Sequence, residues 1–274
     1  MKKASPSAPS SSAAGAASVS YALPLNVLGF GQGADHLAAF RWLAAPLPVT
    51  WTLTEQIASK VGDRILSDEL PSGAWLREQD YADEFGVSRG PIRDAFQILQ
   101  REGLVHLHAR RGAQVSVLSA REVRDIFQIR ANLFRLVARL LAEQREPAYV
   151  AALEAATARL EALAQSERGG DEYAQTVFRL SLYSAAACGN ERLRDILTSL
   201  SLQTFRYSRL GLQPVERRKR SLKLWKATLA AIKAGDPDGA EEVAARRIAE
   251  NGAAAEHLLS IVTVKKRKGA QTPN

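Results

Sequence analysis

Cysteine is nearly absent: Cys188 is the only one in 274 residues. An internal disulfide is therefore excluded, and so is a cysteine-built metal cluster. Histidine is almost as scarce, with His36, His106, His108 and His257 scattered along the chain and expected at surface or loop positions. Apolar residues make up 46% of the sequence, yet no uninterrupted apolar run approaches the roughly 20 residues that span a bilayer. The start, MKKASPSAPSSSAAGAASVS, has a basic tip but no continuous apolar block behind it, so no secretory signal is expected there. No Gly-rich phosphate loop and no nucleophile–base pair stand out, so enzyme chemistry is not expected. These absences leave a soluble, cytosolic protein with no membrane partner as the expectation.

What is present is positive charge and room for two cores. The net charge is +8, a balance that favours polyanionic partners without proving them. The length suffices for two domains. Residues 1–50 read as a separate extension: the first twenty are mostly Ser, Ala and Pro and can bury little surface. The chain ends in VKKRKGAQTPN, and residues 263–274 read as a basic, solvated tail.

Between these ends lie two patterns. Leu53, Ile57, Val61 and Ile65 recur at four-residue steps, the stripe of a first helix. LPSGAWL (70–76) is a turn followed by a short extended piece. A second helix fits Glu78 to Phe85, with Gly86 placed to end it. Ser88 is placed to cap a third, running to about Glu102. Val105 and Leu107, then Val115 and Val117, alternate as paired strands do, around a turn carrying Arg110, Arg111 and Gly112. Residues 51–118 thus spell a winged helix-turn-helix. After it, Ser119 and Glu122 form a capping box for a long helix to about Gln144. Further helices fit 147–166, 171–187, 190–209, 216–234 and 238–262, punctuated by glycine, asparagine and proline. Residues 119–262 are all helix, so the fold class is mainly α.

The stretch FGVSRGPIRDAFQILQREGLV (85–105) puts Ile92, Phe96 and Leu99 on one face of the third helix. Arg89, Arg93 and Gln97, four apart, occupy another. Ser88, Gly90 and Pro91 form its first turn, where unpaired amides and the helix dipole suit a phosphate and proline's missing donor costs little. Arginine forks can grip guanine edges or phosphates, and Arg110, Arg111 and Gly112 suit a minor groove or flanking phosphate. Residues 77–111 hold six basic and six acidic side chains, so net charge does not favour this reading; the helix-turn-helix-wing order does.

LREQDYADEFGVSRGPIRDAFQILQREGLVHLHARRGAQV resembles the DNA-binding domain of GntR-type bacterial transcription regulators. Their pattern is close to L-x-E-x-x-L-A-x-x-x-G-V-S-R-T-P-V-R-E-A-L, then L-x-x-E-G-L-V and a wing ending R-G-A-x-V. The chain departs from it at Tyr81, Gly90, Asp94 and Phe96, where leucine, threonine, glutamate and leucine are usual. Gln79 stands where some relatives have a DNA-contacting arginine. The resemblance implies a homodimer on a pseudo-palindromic double-stranded operator, associated with the nucleoid of a bacterium.

The helical half resembles the all-helical effector domain, FCD, of the FadR-like branch, through FRLSLYSAAACGNERL and WKATLAAIKAGDPDGAEEVAARRI. In many such domains an Asp and three His hold a divalent metal. The matching positions here are Gln175, Arg179, Trp225 and Arg247, and a guanidinium has no lone pair to donate. A metal-free, cofactor-free domain is therefore expected. Arg130, Arg179 and Arg247 fall on inward-facing stretches and each needs an anion. Asp195 or Glu250 could supply it internally. Alternatively, a carboxylate- or phosphate-bearing effector could, with Tyr183 and Trp225 as apolar walls. A DNA-binding protein whose helical half only dimerises is the competing expectation.

Overall fold

A computed structural model describes residues 52–269, with side chains through Ser260. Residues 1–50 and the final five residues of the expected basic tail lie outside the described residues. Helix α1 (Leu53–Leu66) opens with a capping box between Thr52 and Glu55. Ile57, Val61 and Ile65 are buried as their spacing requires, whereas Leu53, in the first turn, is 49% exposed. A two-residue strand β1 (Trp75–Leu76) precedes α2 (Glu78–Phe85), which Gly86 ends in the left-handed conformation, φ 67°. Helix α3 (Arg89–Arg101) buries Ile92, Ala95, Phe96 and Leu99 against α1 and α2.

Strands β2 (Val105–His108) and β3 (Gly112–Val115) form the wing, and β1 joins them in an antiparallel sheet of order β1-β3-β2. Val105 lies opposite Val115 and Leu107 opposite Ala113. Two expectations change here. Val117 lies past the end of β3 and is exposed, and Leu107 is at the surface because it sits near the wing tip, beyond the cover of the helices. Ala113 takes the inner position instead. Gly112 is required by shape. Its φ is +89°, and a Cβ there would lie 2.3 Å from the Leu76 carbonyl oxygen.

The remaining helices are α4 (Ala120–Gln144), α5 (Pro147–Ala164), α6 (Gly170–Ala187), α7 (Glu191–Gly211), α8 (Val215–Ala234) and α9 (Pro237–Gly269). The Ser119–Glu122 capping box forms as expected. The last helix continues past residue 262 to Gly269, through part of the basic stretch. Helix α4 packs along α9, α8 crosses both α5 and α9, and one apolar core runs through all six helices.

The two halves are not merely tethered. Phe178 and Leu182 of α6 and Leu202 and Phe205 of α7 belong to the same buried cluster as the α1–α3 core. Arg206 of α7 donates to the carbonyls of Ile65 (3.0 Å) and Leu70 (2.9 Å) and pairs with Asp68 at 2.6 Å. It also bonds Ser72. Leu118 N–H donates to Tyr207 Oη at 2.8 Å. Charge-assisted bonds of this kind are worth about 1.5–3 kcal/mol each, though the set is not additive. Arg206→Ala should therefore lower the urea midpoint. It should also speed amide exchange in residues 65–72 while leaving α4 protected, and exchange unchanged across 65–72 would mean the bonds do not hold the two halves together.

Candidate nucleic-acid interface and ligand site

On the first half, α2 aims the arginines of α3. Arg93 forks onto Glu78, Nε to Oε1 at 3.0 Å and Nη2 to Oε2 at 2.8 Å. That fork holds the Glu78 carboxyl below its ordinary pKa. Arg89 Nε donates to Gln79 Oε1 at 2.6 Å, and Gln79 Nε2 donates in turn to Asp83 at 2.7 Å. Both guanidiniums remain exposed while their orientation is fixed by the neighbouring helix. Ser88 occupies the N-cap of α3 with extended backbone, but its hydroxyl makes no capping bond. No acidic residue lies in the first turn either, so that helix end keeps its partial positive charge. The place of a Cβ on Gly90 is open, with Ser88 Oγ the nearest atom at 3.9 Å.

A groove of about 980 Å³ runs between α2–α3 and the wing. It brings together Gln79, Arg89, Arg93, Gln97, Arg110, Arg111 and Gly112 of the sequence-predicted residues; Ser88, Gly90 and Pro91 flank it without lining it. At its tip, Arg110 adopts φ +65° and Arg111 N–H closes the turn onto the His108 carbonyl at 3.1 Å. Sequence reading missed Trp75, Arg77, Glu78 and His108, which also line the groove. Trp75 is 45% exposed, its ring 4.8 Å from that of His108. The missed signal was Glu78 in the L-x-E segment, the fixed partner of Arg93. The even charge count over 77–111 also misleads, because five arginines and one carboxylate line the groove.

In the helical half, Arg130 of α4 and Arg247 of α9 are 4% and 6% exposed. The Arg247 guanidinium carbon stacks 3.5 Å from the Trp225 ring centroid and lies 5.8 Å from that of Phe134. The Arg130 carbon lies 5.9 Å from Phe134 and 5.0 Å from Phe127. Arg130 Nη1 donates to Thr204 Oγ1 of α7 at 2.8 Å. Arg247 Nε and Nη1, Arg130 Nε and Trp225 Nε1 are buried without a hydrogen-bond partner among the described residues. Burial pushes the Arg130 pKa down to about 9, helped by repulsion from Arg247. Burial likewise takes Arg247 to about 10, resisted by the nearby hydroxyls of Tyr149 and Tyr173.

Neither Asp195 nor Glu250 neutralises them. Asp195 pairs with its neighbour Arg194, and Glu250 binds Arg217, Arg220 and Arg246, with Arg220 foremost in holding its carboxyl down at about 2. Tyr183 stacks on Tyr149 with ring centroids 5.6 Å apart, and it is Tyr149 that acts electrostatically on Arg247. Arg179 is buried on α6 beside Phe178, whose ring lies 4.5 Å from Phe205 in the interdomain core. Phe127, Phe134, Tyr149, Tyr173 and Thr204 are the neighbours that sequence reading did not select. Of the residues expected at the family's metal positions, Arg247 and Trp225 are stacked on each other. Among the described residues no group of three or more His, Cys, Asp or Glu could hold a metal ion.

Residues 53–115 match "Bacterial regulatory proteins, gntR family", and residues 125–250 match the FCD domain. The chain belongs to the GntR family. It is a DNA-binding transcription regulator with an FCD domain, in a family of regulators rather than enzymes. It is 26% identical over 208 residues to the "Probable D-xylose utilization operon transcriptional repressor" of Paenarthrobacter nicotinovorans, covering 72% of this chain and 86% of that one. It is 40% identical over 75 residues to the gluconate operon transcriptional repressor of Bacillus licheniformis, covering 27% and 30%. The match to the uncharacterized regulator YdhC of Bacillus subtilis (strain 168), 30% identical over 99 residues, covers 36% of this chain and 44% of that protein, less than half its length. Among solved structures, E. coli McbR/YncC superposes with a TM-score of 0.61 at 22% identity, over 76% of this chain and 99% of that one. No helix of the described residues is long and apolar enough to cross a membrane.

The buried arginines make a pH-dependent prediction. The Arg247 pKa is lower folded than unfolded, so the cost of burying its charge is full at neutral pH and is relieved as pH rises through about 10. Arg247→Met should therefore stabilise the apoprotein at pH 7 by about 1–4 kcal/mol, and the gain should hold up to about pH 10 and shrink above it. A variant less stable than the parent at pH 7 would mean that the charge is compensated.

Proposed function

We propose that the chain regulates transcription by gripping a double-stranded operator with α3 and the wing, and that an acidic small molecule bound in the helical domain modulates that grip. In this reading Arg89, Arg93 and Gln97 face base edges. Ser88, Gly90 and Pro91 present the α3 N-terminus to a phosphate. Gln79 supports Arg89 from α2, and Arg110, Arg111 and Gly112 follow the adjacent minor groove. A homodimer sets two such heads on a pseudo-palindromic site. The repressor names of the xylose and gluconate relatives favour repression as the direction of control.

One observation carries the effector half of the reading: Arg130 and Arg247 are buried, and among the described residues no carboxylate acts on either. Uncompensated buried cations cost several kcal/mol, and an anionic ligand removes that cost. Arg179, Tyr183 and Trp225 complete the proposed surroundings. Helix α7 supplies a route to the head. Thr204 holds Arg130, while the next two residues, Phe205 and Arg206, are built into the α1–α3 core and the end of α1. An acid that draws Arg130 away from Thr204 changes operator affinity to the extent that it binds one setting of α7 better than another. The competing reading, a helical half that only dimerises, draws on the Arg247–Trp225 stacking, which already fills part of this space.

Two measurements test these halves separately. On an operator selected from a random duplex pool, Arg89→Ala and Arg93→Ala should each cost roughly 1–3 kcal/mol and relax base preference, whereas Arg110→Ala should weaken all sequences alike and reduce the salt slope. Full affinity in both α3 variants would remove α3 from the interface. A panel of small acids followed by thermal melting should yield one that stabilises by about 2.7 kcal/mol at 100 times its dissociation constant and alters operator affinity. No response to any acid would leave the dimerisation-only reading standing.

A further inference from the structure

The fold contains a control for the two arginines discussed above. Arg218 of α8 is fully buried as well, yet its guanidinium donates to the backbone carbonyls of Leu212, Gln213 and Ser166. Backbone dipoles from two stretches of the chain, at 166 and at 212–213, converge on the two Nη groups of that cation, so it is a structural strut although its Nε has no partner among the described residues. Arg130 has one hydroxyl, that of Thr204, which is itself engaged with the Leu200 carbonyl. Arg247 has ring faces and no acceptor for its Nε or Nη1. Among the described residues, the groups that meet this pair include Phe127, Phe134, Trp225, Thr204 and the phenols of Tyr149 and Tyr173; a phenol is neutral at pH 7, and burial holds these two up at about 12.

Resting on the effector reading proposed above, we infer that the ligand of this site is a small dianion, a dicarboxylate or a phosphate monoester, whose two charges meet Arg130 and Arg247 together. The two guanidiniums lie at 5.9 and 5.8 Å from the same Phe134 ring and repel one another. A monoanion would neutralise one and leave the other buried and uncompensated. A dianion brings the site to neutrality. The unpartnered atoms at the site are all donors: Arg130 Nε, Arg247 Nε and Nη1, and Trp225 Nε1. The matching ligand is therefore rich in acceptors. The ring faces of Phe127, Phe134 and Trp225 exclude water from the charges, so a second ionic contact here is worth more than at the surface.

The test pairs probes of similar skeleton and different charge, titrated calorimetrically into the full chain at fixed ionic strength: succinate against butyrate, phthalate against benzoate, and methyl phosphate against dimethyl phosphate. In at least one pair the dianion should bind roughly tenfold or more tighter. Arg130→Gln and Arg247→Gln should each erase that advantage while helical circular dichroism and a cooperative melting transition persist, which shows that the variants are folded. The responding pair tells dicarboxylate from phosphate monoester. If a monoanion binds as tightly as its dianion and Arg247→Gln weakens both, the site takes an acid but the two-charge inference is wrong. If a dianion binds equally well to both glutamine variants, its site is elsewhere and the inference falls. If no probe binds and operator affinity ignores them all, the effector reading falls with it.

Discussion

Arg206 reaches from α7 to the Ile65 and Leu70 carbonyls and to Asp68, and in doing so fastens the DNA-binding half to the helical half at the end of α1. The neighbouring Phe205 is buried in the α1–α3 core. One helix thus belongs to two hydrophobic cores, and its side chains must satisfy both. A displacement of α7 by either neighbour is felt by the other, because packed interiors respond to small changes in volume and position. In a fold with a loose tether between its halves, the contents of the helical bundle would have no mechanical access to the reading head.

The reading head depends on a second kind of constraint, which acts before any DNA arrives. Long arginine side chains carry considerable rotamer entropy, and ordering them on binding costs free energy. Here Glu78 and Gln79 hold Arg93 and Arg89 in place from α2. Glu78 reduces the local charge by one, but five arginines line the groove and the field stays positive. Gln79 does the same for Arg89 without any negative charge. The glutamine at this position therefore supplies an orienting group while adding no charge.

Much of this was legible in the sequence because it follows from local periodicity. Ile92, Phe96 and Leu99 had to share a face, Gly86 had to end α2, and the Ser119 cap starts its helix where the pattern begins. What could not be read depends on tertiary geometry. The Arg93–Glu78 fork joins residues on different helices, and Val117 alternates correctly but lies beyond the strand that would have buried it. The carboxylates suggested for the inner arginines, Asp195 and Glu250, are close in type and charge but bond other arginines. Periodicity states which way a side chain faces and says nothing about which acid waits there.

Arg218 and Arg247 carry that last point furthest. Both sit on helices of the same bundle, and both are buried. Their surroundings nevertheless solve the same electrostatic problem in different ways. Carbonyl oxygens surround Arg218, so its charge is accommodated by the fold itself. Arg247 is offered ring faces, which attract a cation weakly compared with the loss of its hydration. An apolar residue of similar volume would serve the bundle's stability as well or better. A charge held in such a place gains meaning when something anionic joins it, and the Arg130–Thr204 contact is where that event would reach α7.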